Sequence, residues 1–234
     1  MPTLLKFLSR LSLDRALKRA LLLGGLCLLL FAVTAAVTGP GAPLQPANQD
    51  ATDRIHRLLT SETLPLFKDI TWFGSPGIWV VSLSVGALLL WRRQWLHVAI
   101  GIGAVGGGGL LDEIVKELFA HPRPIFPGPP VLVMRSYSFP SGHSMSSLIT
   151  YGLLVYFAWL ALDDRWARLV LLAGLVVWIA LIGFSRVILG VHFVGDVIGG
   201  WTLGGAWLAL WTGVMHAIRR RDRAGASSEV PAQT

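Results

Sequence analysis

Six long apolar runs, each bounded by polar or charged residues, constrain the fold of this chain more than any other feature. About 20 apolar residues make a helix that crosses the hydrocarbon core of a bilayer, with its backbone polar groups paired internally. The composition agrees, since 53% of the 234 residues are hydrophobic and only 14% are charged. The sequence therefore predicts an all-α, polytopic membrane protein with six transmembrane helices. The predicted spans are residues 20–38, 76–91, 95–111, 144–162, 168–184 and 197–214.

The segments outside the spans suggest a simple domain organisation. Residues 1–19 combine basic and apolar residues, which is typical of a cytoplasmic amphipathic segment on the membrane surface. Residues 20–218 form the membrane domain. Within it, residues 39–75 are polar with apolar positions at loosely helical spacing broken at Pro65, which predicts short interfacial helices between spans one and two. Residues 219–234 are predicted to be a basic, disordered cytoplasmic tail.

The first apolar run also resembles a signal peptide, because a positive start precedes it and small residues end it. Its length, close to the 20 residues of a full span, favours a retained helix instead.

The net charge of +7 is carried by clusters that flank the spans. Placing residues 1–19, 92–93, 165–168 and 219–223 in the cytoplasm puts 13 of the 20 Lys and Arg residues there. This satisfies the positive-inside rule with both termini cytoplasmic. The basic residues do not form one continuous face, so a nucleic-acid partner is not expected.

Two local patterns in the sequence do not indicate a function. Cys27 is the only cysteine and lies within the first run, so the chain has neither a disulfide framework nor a cysteine metal site. Residues 101–106 match the dinucleotide pattern G-x-G-x-x-G, but no strand precedes them. Close helix packing at these glycines is the better interpretation.

Under the predicted topology, three polar stretches fall on the outer side of the membrane. The first follows span three, the second is a turn leading into span four, and the third joins spans five and six. The free amides at a helix N-terminus favour an anion. The candidate side chains are Lys116 and Arg123 in the first stretch, Ser141, Gly142 and His143 in the second, and Arg186, His192 and Asp196 in the third.

The three cations, two histidines and glycine-containing turn suit a tetrahedral phosphoryl group. If the last helix begins near His192, the i,i+4 spacing puts Asp196 on the same face, where its carboxylate orients the imidazole. His192 would then attack phosphorus, while His143 would protonate the leaving oxygen and later activate water. No metal or other cofactor is expected for this chemistry.

The motifs closely resemble a known family. The chain is similar to the type 2 phosphatidic acid phosphatase superfamily, which includes bacterial membrane lipid phosphatases and soluble vanadium haloperoxidases. The resemblance implies that Lys116, Arg123, Ser141, Gly142 and Arg186 contact phosphate, that His143 is the general acid, and that His192 is the nucleophile oriented by Asp196. The residues that carry it are Lys116 with Arg123 and Pro124, then Pro140 to His143, then Ser185 and Arg186 with His192 and Asp196.

Each motif residue also has an ordinary structural interpretation. Lys116 would pair with Asp112 at i,i+4, and Ser141 would cap a helix. Arg186 would extend towards the lipid headgroups. His192 and Asp196 would be metal ligands, although a third ligand is missing.

Other nearby groups have lesser expected roles. His121 is predicted to support the site without forming part of it, and Arg135 is a possible substrate contact.

The sequence thus predicts a lipid phosphatase of the bacterial cytoplasmic membrane that acts at the extracytoplasmic face. By family analogy, the first substrate is undecaprenyl diphosphate. Phosphatidylglycerophosphate, phosphatidic acid and lipid A remain alternatives, as does phosphate transfer to another lipid. A transporter of phosphate-bearing solutes is the non-enzyme alternative, although no inverted repeat is found. The sequence does not indicate an oligomeric state.

Overall fold

The computed structural model of the protein describes residues 15–127 and 131–228, with side chains described as far as Arg220. This part of the chain is helical and contains no strand. Its helices are α1 (Arg15–Thr38), α2 (Gln45–His56), α3 (Leu64–Trp72), α4 (Pro76–Trp91), α5 (Trp95–Phe119), α6 (Gly142–Ala161), α7 (Arg165–Ile188) and α8 (Val194–Ser228).

Within the described residues, six helical stretches are long and apolar enough to cross a membrane, which confirms the predicted all-α, multi-pass class. They are Arg15–Thr38, Leu64–Trp91, Trp95–Phe119, Gly142–Ala161, Arg165–Ile188 and Val194–Arg220.

The predicted end of span three at residue 111 is wrong, because α5 continues to Phe119 and includes the start of the polar stretch that follows. Asp112 and Lys116 are one helical turn apart and their side chains pair. Both are buried inside the bundle, so polar residues here do not end the helix. The helix ends at Ala120, whose φ of 49° turns the chain out of the helix.

The last helix also exceeds its predicted limit. It begins at Val194 and runs past residue 218 to Ser228, so residues 219–228 are helical rather than disordered. Residues 229–234 of the predicted tail and 1–14 of the predicted N-terminal segment lie outside the described residues.

Helix α8 is central to the bundle and contacts α1, α5, α6 and α7. Its approach to α6 depends on glycine, since a Cβ on Gly200 would lie 2.5 Å from the carbonyl oxygen of Ser141. One turn later, a Cβ on Gly204 would lie 3.0 Å from the carbonyl oxygen of Met145. This close contact fixes the start of α6 against the start of α8.

Residues 39–75 contain two short helices, α2 and α3, but the break between them lies at residues 57–63 rather than at Pro65, which is in the first turn of α3. Helix α3 belongs with α4 to the membrane-long stretch Leu64–Trp91, so the interfacial position stays a prediction. Helix α2 holds the start of α8. The amide of Gly195 donates to Oδ1 of Asn48 at 2.8 Å, and that of Val194 donates to Oγ1 of Thr52 at 3.2 Å. Two otherwise unpaired amides of α8 are thus satisfied by side chains from a distant helix.

Candidate active site

His192 lies in the short turn between α7 and α8 and is only 2% exposed. Its Nδ1 is 3.3 Å from Oδ2 of Asp196, which also accepts a hydrogen bond from the Phe193 amide at 2.9 Å. The predicted i,i+4 pair therefore forms, although the helix begins two residues after His192. On the other side of the ring, Nε2 is 3.2 Å from Nη1 of Arg123. Asp196 thus fixes one ring nitrogen and leaves the other facing a cation.

Ser138 completes the His192 environment and was not predicted. Its hydroxyl donates to Oδ2 of Asp196 and lies 3.4 Å from Nδ1 of His192. Its amide donates to the carbonyl oxygen of His121 at 2.9 Å, which ties the loop to the end of α5. Ser138 is fully buried, so this hydroxyl is a fixed third member of the His192 and Asp196 pair. Its position just before the Pro140 to His143 motif was the only available sequence signal.

Arg123 is held by carbonyl oxygens from two loops. Its Nε donates to Ser136 at 2.8 Å, its Nη2 to Tyr137 at 2.9 Å and its Nη1 to Val191 at 2.6 Å. These bonds fix the plane of the guanidinium beside His192. No carboxylate among the described residues forms an ion pair with it.

Lys116 and Asp112 lie directly beside the first turn of α6. A Cβ on Gly142 would come within 3.0 Å of Nζ of Lys116 and 2.5 Å of Oδ2 of Asp112. Only glycine therefore fits at this position without displacing the pair. The Lys116 side chain pairs with Asp112, as its ordinary structural interpretation predicts. The pair also lies against Gly142, in the turn that begins α6.

Arg186 is 1% exposed, so it does not extend towards the lipid headgroups. Its Nη1 donates to Oγ1 of Thr71 at 2.7 Å, while its Nε is buried without a partner among the described residues. A buried guanidinium with an unpaired donor is costly unless an anion binds there. Thr71 belongs to α3, 115 residues away in sequence, and was not predicted.

The turn before α6 brings the remaining motif residues to the same place. Ser141 caps α6, as its ordinary interpretation predicted, because its Oγ accepts from the Ser144 amide at 3.5 Å. The Ser144 hydroxyl also donates to this oxygen at 3.0 Å. Its amide donates to the carbonyl oxygen of Asp196 at 2.9 Å. His143 is partly buried, and its ring makes no hydrogen bond to the described residues. It lies within electrostatic reach of Arg186 and His192.

The pKa of His192 is well below its ordinary value of 6.5, first because the ring is buried and then because Arg186, Arg123 and Lys116 are nearby. The imidazole is therefore neutral at neutral pH, with an available lone pair on one nitrogen. His121 lies next to the site with a pKa lowered by burial and partly restored by Asp196. Arg135 is exposed.

The structure thus brings all eight predicted site residues to one end of the bundle. Arg123 contacts the His192 ring directly, and Arg186 and Lys116 lie near enough to contribute to its lowered pKa. No group of three or more His, Cys, Asp or Glu side chains suited to a metal occurs in residues 15–127 and 131–220.

Comparisons with known proteins point in the same direction. The family model of the PAP2 superfamily matches residues 95–220, which is more than half of the chain. Phosphatidylglycerophosphatase B of Bacillus subtilis is 35% identical over 144 residues, or 60% of this chain and 68% of that protein. Undecaprenyl-diphosphatase of Sulfolobus acidocaldarius is 33% identical over 141 residues, or 58% of this chain and 63% of that protein.

Solved structures agree with the fold. The crystal structure of the transmembrane PAP2-type phosphatidylglycerolphosphate phosphatase from Bacillus subtilis is similar, with a TM-score of 0.76 and 29% identity. The match covers 84% of this chain and 97% of that one. Aquifex aeolicus LpxE has a TM-score of 0.53 and 22% identity over 69% of this chain and 93% of its own, and supports the fold alone. The chain therefore belongs to the PAP2 superfamily, and its membrane-spanning helices place it among the membrane lipid phosphatases of that family.

Proposed function

We propose that the protein removes the terminal phosphate of an isoprenoid or glycerolipid phosphate through a phosphohistidine intermediate on His192. The observation that carries this proposal is the arrangement around the His192 ring, which is fixed by Asp196 at Nδ1 and faces Arg123 at Nε2. A neutral imidazole next to cations that attract a phosphate is arranged for nucleophilic attack on phosphorus.

In the first step, Nε2 of His192 forms a bond to the terminal phosphorus, and the bond between that phosphorus and the leaving oxygen breaks. The leaving oxygen is the bridging oxygen of a lipid diphosphate or the ester oxygen of a lipid monophosphate. His143 donates the proton that the departing oxygen needs. Arg123, Arg186 and Lys116 neutralise the phosphoryl oxygens, and the amides of Gly142 and His143 at the N-terminus of α6 add to this stabilisation. Asp196 stabilises the positive charge that appears on the imidazole ring after attack.

In the second step, water attacks phosphorus and the bond between phosphorus and nitrogen breaks. His143 takes the proton from water, so the group that acted as acid now acts as base. Inorganic phosphate leaves, and His192 returns to its neutral form. The cycle consumes one water molecule and restores every protein group.

Undecaprenyl diphosphate is our first proposed substrate, with phosphatidylglycerophosphate second. The support is similarity, because one similar protein is an undecaprenyl-diphosphatase and another is a phosphatidylglycerophosphatase. We further propose that both termini are cytoplasmic and that the site opens to the extracytoplasmic side of a bacterial cytoplasmic membrane. The basic clusters that flank the spans support this orientation.

The test is phosphate release by the full chain in detergent, with the two lipids assayed in parallel and excess EDTA present. Release that survives EDTA and is lost in His192→Ala is expected, and the preferred lipid identifies the substrate class. Arg57→Ala, an exposed cation just after α2 with no assigned role, is the matched control and should retain activity. Loss of release in EDTA alone would contradict the metal-free mechanism. If phosphate appears on another lipid and no free phosphate is released, the reaction is phosphotransfer and not hydrolysis.

A further inference from the structure

An apolar groove of about 560 Å³ lies between α4, α5 and α6, away from the candidate active site. The groove is separate from the candidate active site, since none of the eight site residues lines it. Its walls are mainly aliphatic and aromatic, including Leu83 and Leu90 from α4, Ile102 and Val105 from α5, and Leu153 and Phe157 from α6.

Glycines, which have no side chain, keep this groove open. A Cβ added to Gly86, Gly101 or Gly106 would meet nothing within 4 Å, and all three glycines line the groove. The neighbouring Gly103 behaves differently, because a Cβ there would lie 2.2 Å from the ring of Trp211. Some glycines of α5 thus pack closely against α8, whereas others leave open space beside α4. Close helix packing, the predicted role of these glycines, accounts for only the first set.

The end of the groove farthest from the active site carries positive charge. His97 lines this end, and its Nε2 contacts Nη2 of Arg219, which extends from α8. The ring of Phe157 packs against His97 with centroids 5.5 Å apart. Arg92 and Arg93 follow α4 directly at the same end of the bundle. The groove is therefore apolar along its length and cationic at one end, and none of its lining residues is acidic.

We propose that this groove binds one anionic glycerophospholipid, with an acyl chain between α4 and α5 and the phosphate against Arg219 and His97. An acyl chain matches the apolar walls, and an anionic headgroup matches the cationic end. From His97 to Gly106 the helix rises about 14 Å, which is enough for much of one chain.

The bound lipid is distinct from the substrate. Lys116 is ten residues beyond Gly106 on α5, or about 15 Å further along the helix axis, and the charged end lies in the opposite direction. A headgroup at Arg219 therefore belongs to the leaflet opposite the active site. The inference does not depend on the proposed catalytic function, because it concerns binding of a lipid that is not hydrolysed.

The test is direct binding to the full-length protein in detergent, with phosphatidylserine and phosphatidylcholine compared by native mass spectrometry. Neither lipid has a terminal phosphate. Phosphatidylserine is expected to bind with a stoichiometry of one and more tightly than phosphatidylcholine. Gly106→Leu should abolish this binding by filling the groove, whereas Gly109→Leu should not, because Gly109 also has open space but lies outside the groove. Phosphate release should be unchanged in both variants.

The charged end is tested with Arg219→Gln and Arg219→Lys. The first is expected to weaken phosphatidylserine binding about tenfold, because a hydrogen bond to a charged group is lost, while the second should retain most of the preference. Equal binding of the two lipids, or unchanged binding in both Gly106→Leu and Arg219→Gln, would overturn the proposal. Two further results would also overturn it: a dimer that dissociates in Gly106→Leu, or a raised KM for the substrate with unchanged phosphatidylserine binding. These would assign the groove to a second copy of the chain or to the substrate tail.

Discussion

Nη1 of Arg123 lies 3.2 Å from Nε2 of His192, on the side of the ring opposite Asp196. The guanidinium is held there by three backbone carbonyl oxygens, so its position does not depend on a bound substrate. In the proposed reaction, a phosphoryl group replaces this contact, so that phosphorus bonds to Nε2 while a phosphoryl oxygen binds the guanidinium. The arginine then neutralises charge next to the attacking nitrogen.

Replacing Arg123 with lysine keeps the charge but removes the planar guanidinium. Because lysine cannot bind three carbonyl oxygens and phosphate in one plane, kcat/KM is expected to fall about 100-fold or more. Steady-state phosphate release measures this effect. Arg57→Lys, at an exposed cation just after α2, is the matched control, and equal losses in the two variants would contradict the special role of Arg123.

Ser138→Ala is expected to reduce kcat more than it changes KM. The variant removes a hydrogen bond to Asp196 and a contact with His192, which together orient the nucleophile. By analogy with partners that orient metal-bound histidines, a loss of about 10-fold to 100-fold is expected. Ser146→Ala, on the following helix, should keep wild-type rates. A Ser138→Ala variant with unchanged kcat would show that Asp196 suffices to orient the ring.

Thr71→Val should weaken substrate binding through Arg186. The hydroxyl that accepts from Nη1 of Arg186 is lost, and the guanidinium is no longer fixed by α3. A rise in KM of about 3-fold to 10-fold is expected from the loss of one such hydrogen bond. Thr212→Val is a suitable control, because that hydroxyl bonds only to carbonyl oxygens of its own helix. Equal KM values for the two variants would contradict the role of Thr71.

Asn48→Ala should lower both stability and activity. The variant leaves the amide of Gly195 unpaired at the start of α8, next to His192 and Asp196. Loss of a helix cap costs about 0.5–2 kcal/mol, which thermal unfolding in detergent should detect. Gln49→Ala is the control from the same helix, because Gln49 bonds only to Asp53. Wild-type stability in Asn48→Ala would mean that water replaces this cap.

The pH dependence should reflect the lowered pKa of His192. Burial, Arg186, Arg123 and Lys116 all disfavour its protonated form, so the nucleophile remains neutral below its ordinary pKa of 6.5. The acid limb of kcat/KM is therefore expected below pH 6.5. An acid limb centred at or above 6.5 would contradict the neutral, buried nucleophile.

The same shift affects stability. Below pH 6.5 the unfolded chain takes up a proton that folded His192 resists, so this group lowers the free energy of unfolding as pH falls from 6.5 towards the folded pKa. Denaturation of His192→Gln should lack this part of the pH dependence, while His216→Gln should retain it. Identical pH dependence in the two variants would contradict the shift.

The six spans and the His192 and Asp196 pair were predictable, because apolar length and i,i+4 spacing are local properties of the sequence. Charge normally ends an apolar run, so the sequence favours a loop at Asp112 and Lys116, whereas both lie in α5. Their burial as a pair depends on Gly142 of another helix, which local patterns do not reveal.

Ser138 and Thr71 were missed for a related reason. Each bonds to a residue far away in sequence, Asp196 and Arg186 respectively, and neither belongs to a recognisable spacing. A single Ser or Thr near a loop carries no signal until the fold brings its partner close. The chemical roles of the eight site residues stay predictions.

The most direct test of the account is to trap the proposed intermediate. The protein is mixed with substrate labelled in its terminal phosphate, quenched within milliseconds in alkali, and digested for mass spectrometry. Alkaline conditions matter because phosphohistidine is labile in acid. Label on His192, absent from His192→Ala, is the predicted result. Turnover at the wild-type rate in His192→Ala, or label on a different residue, would contradict the account.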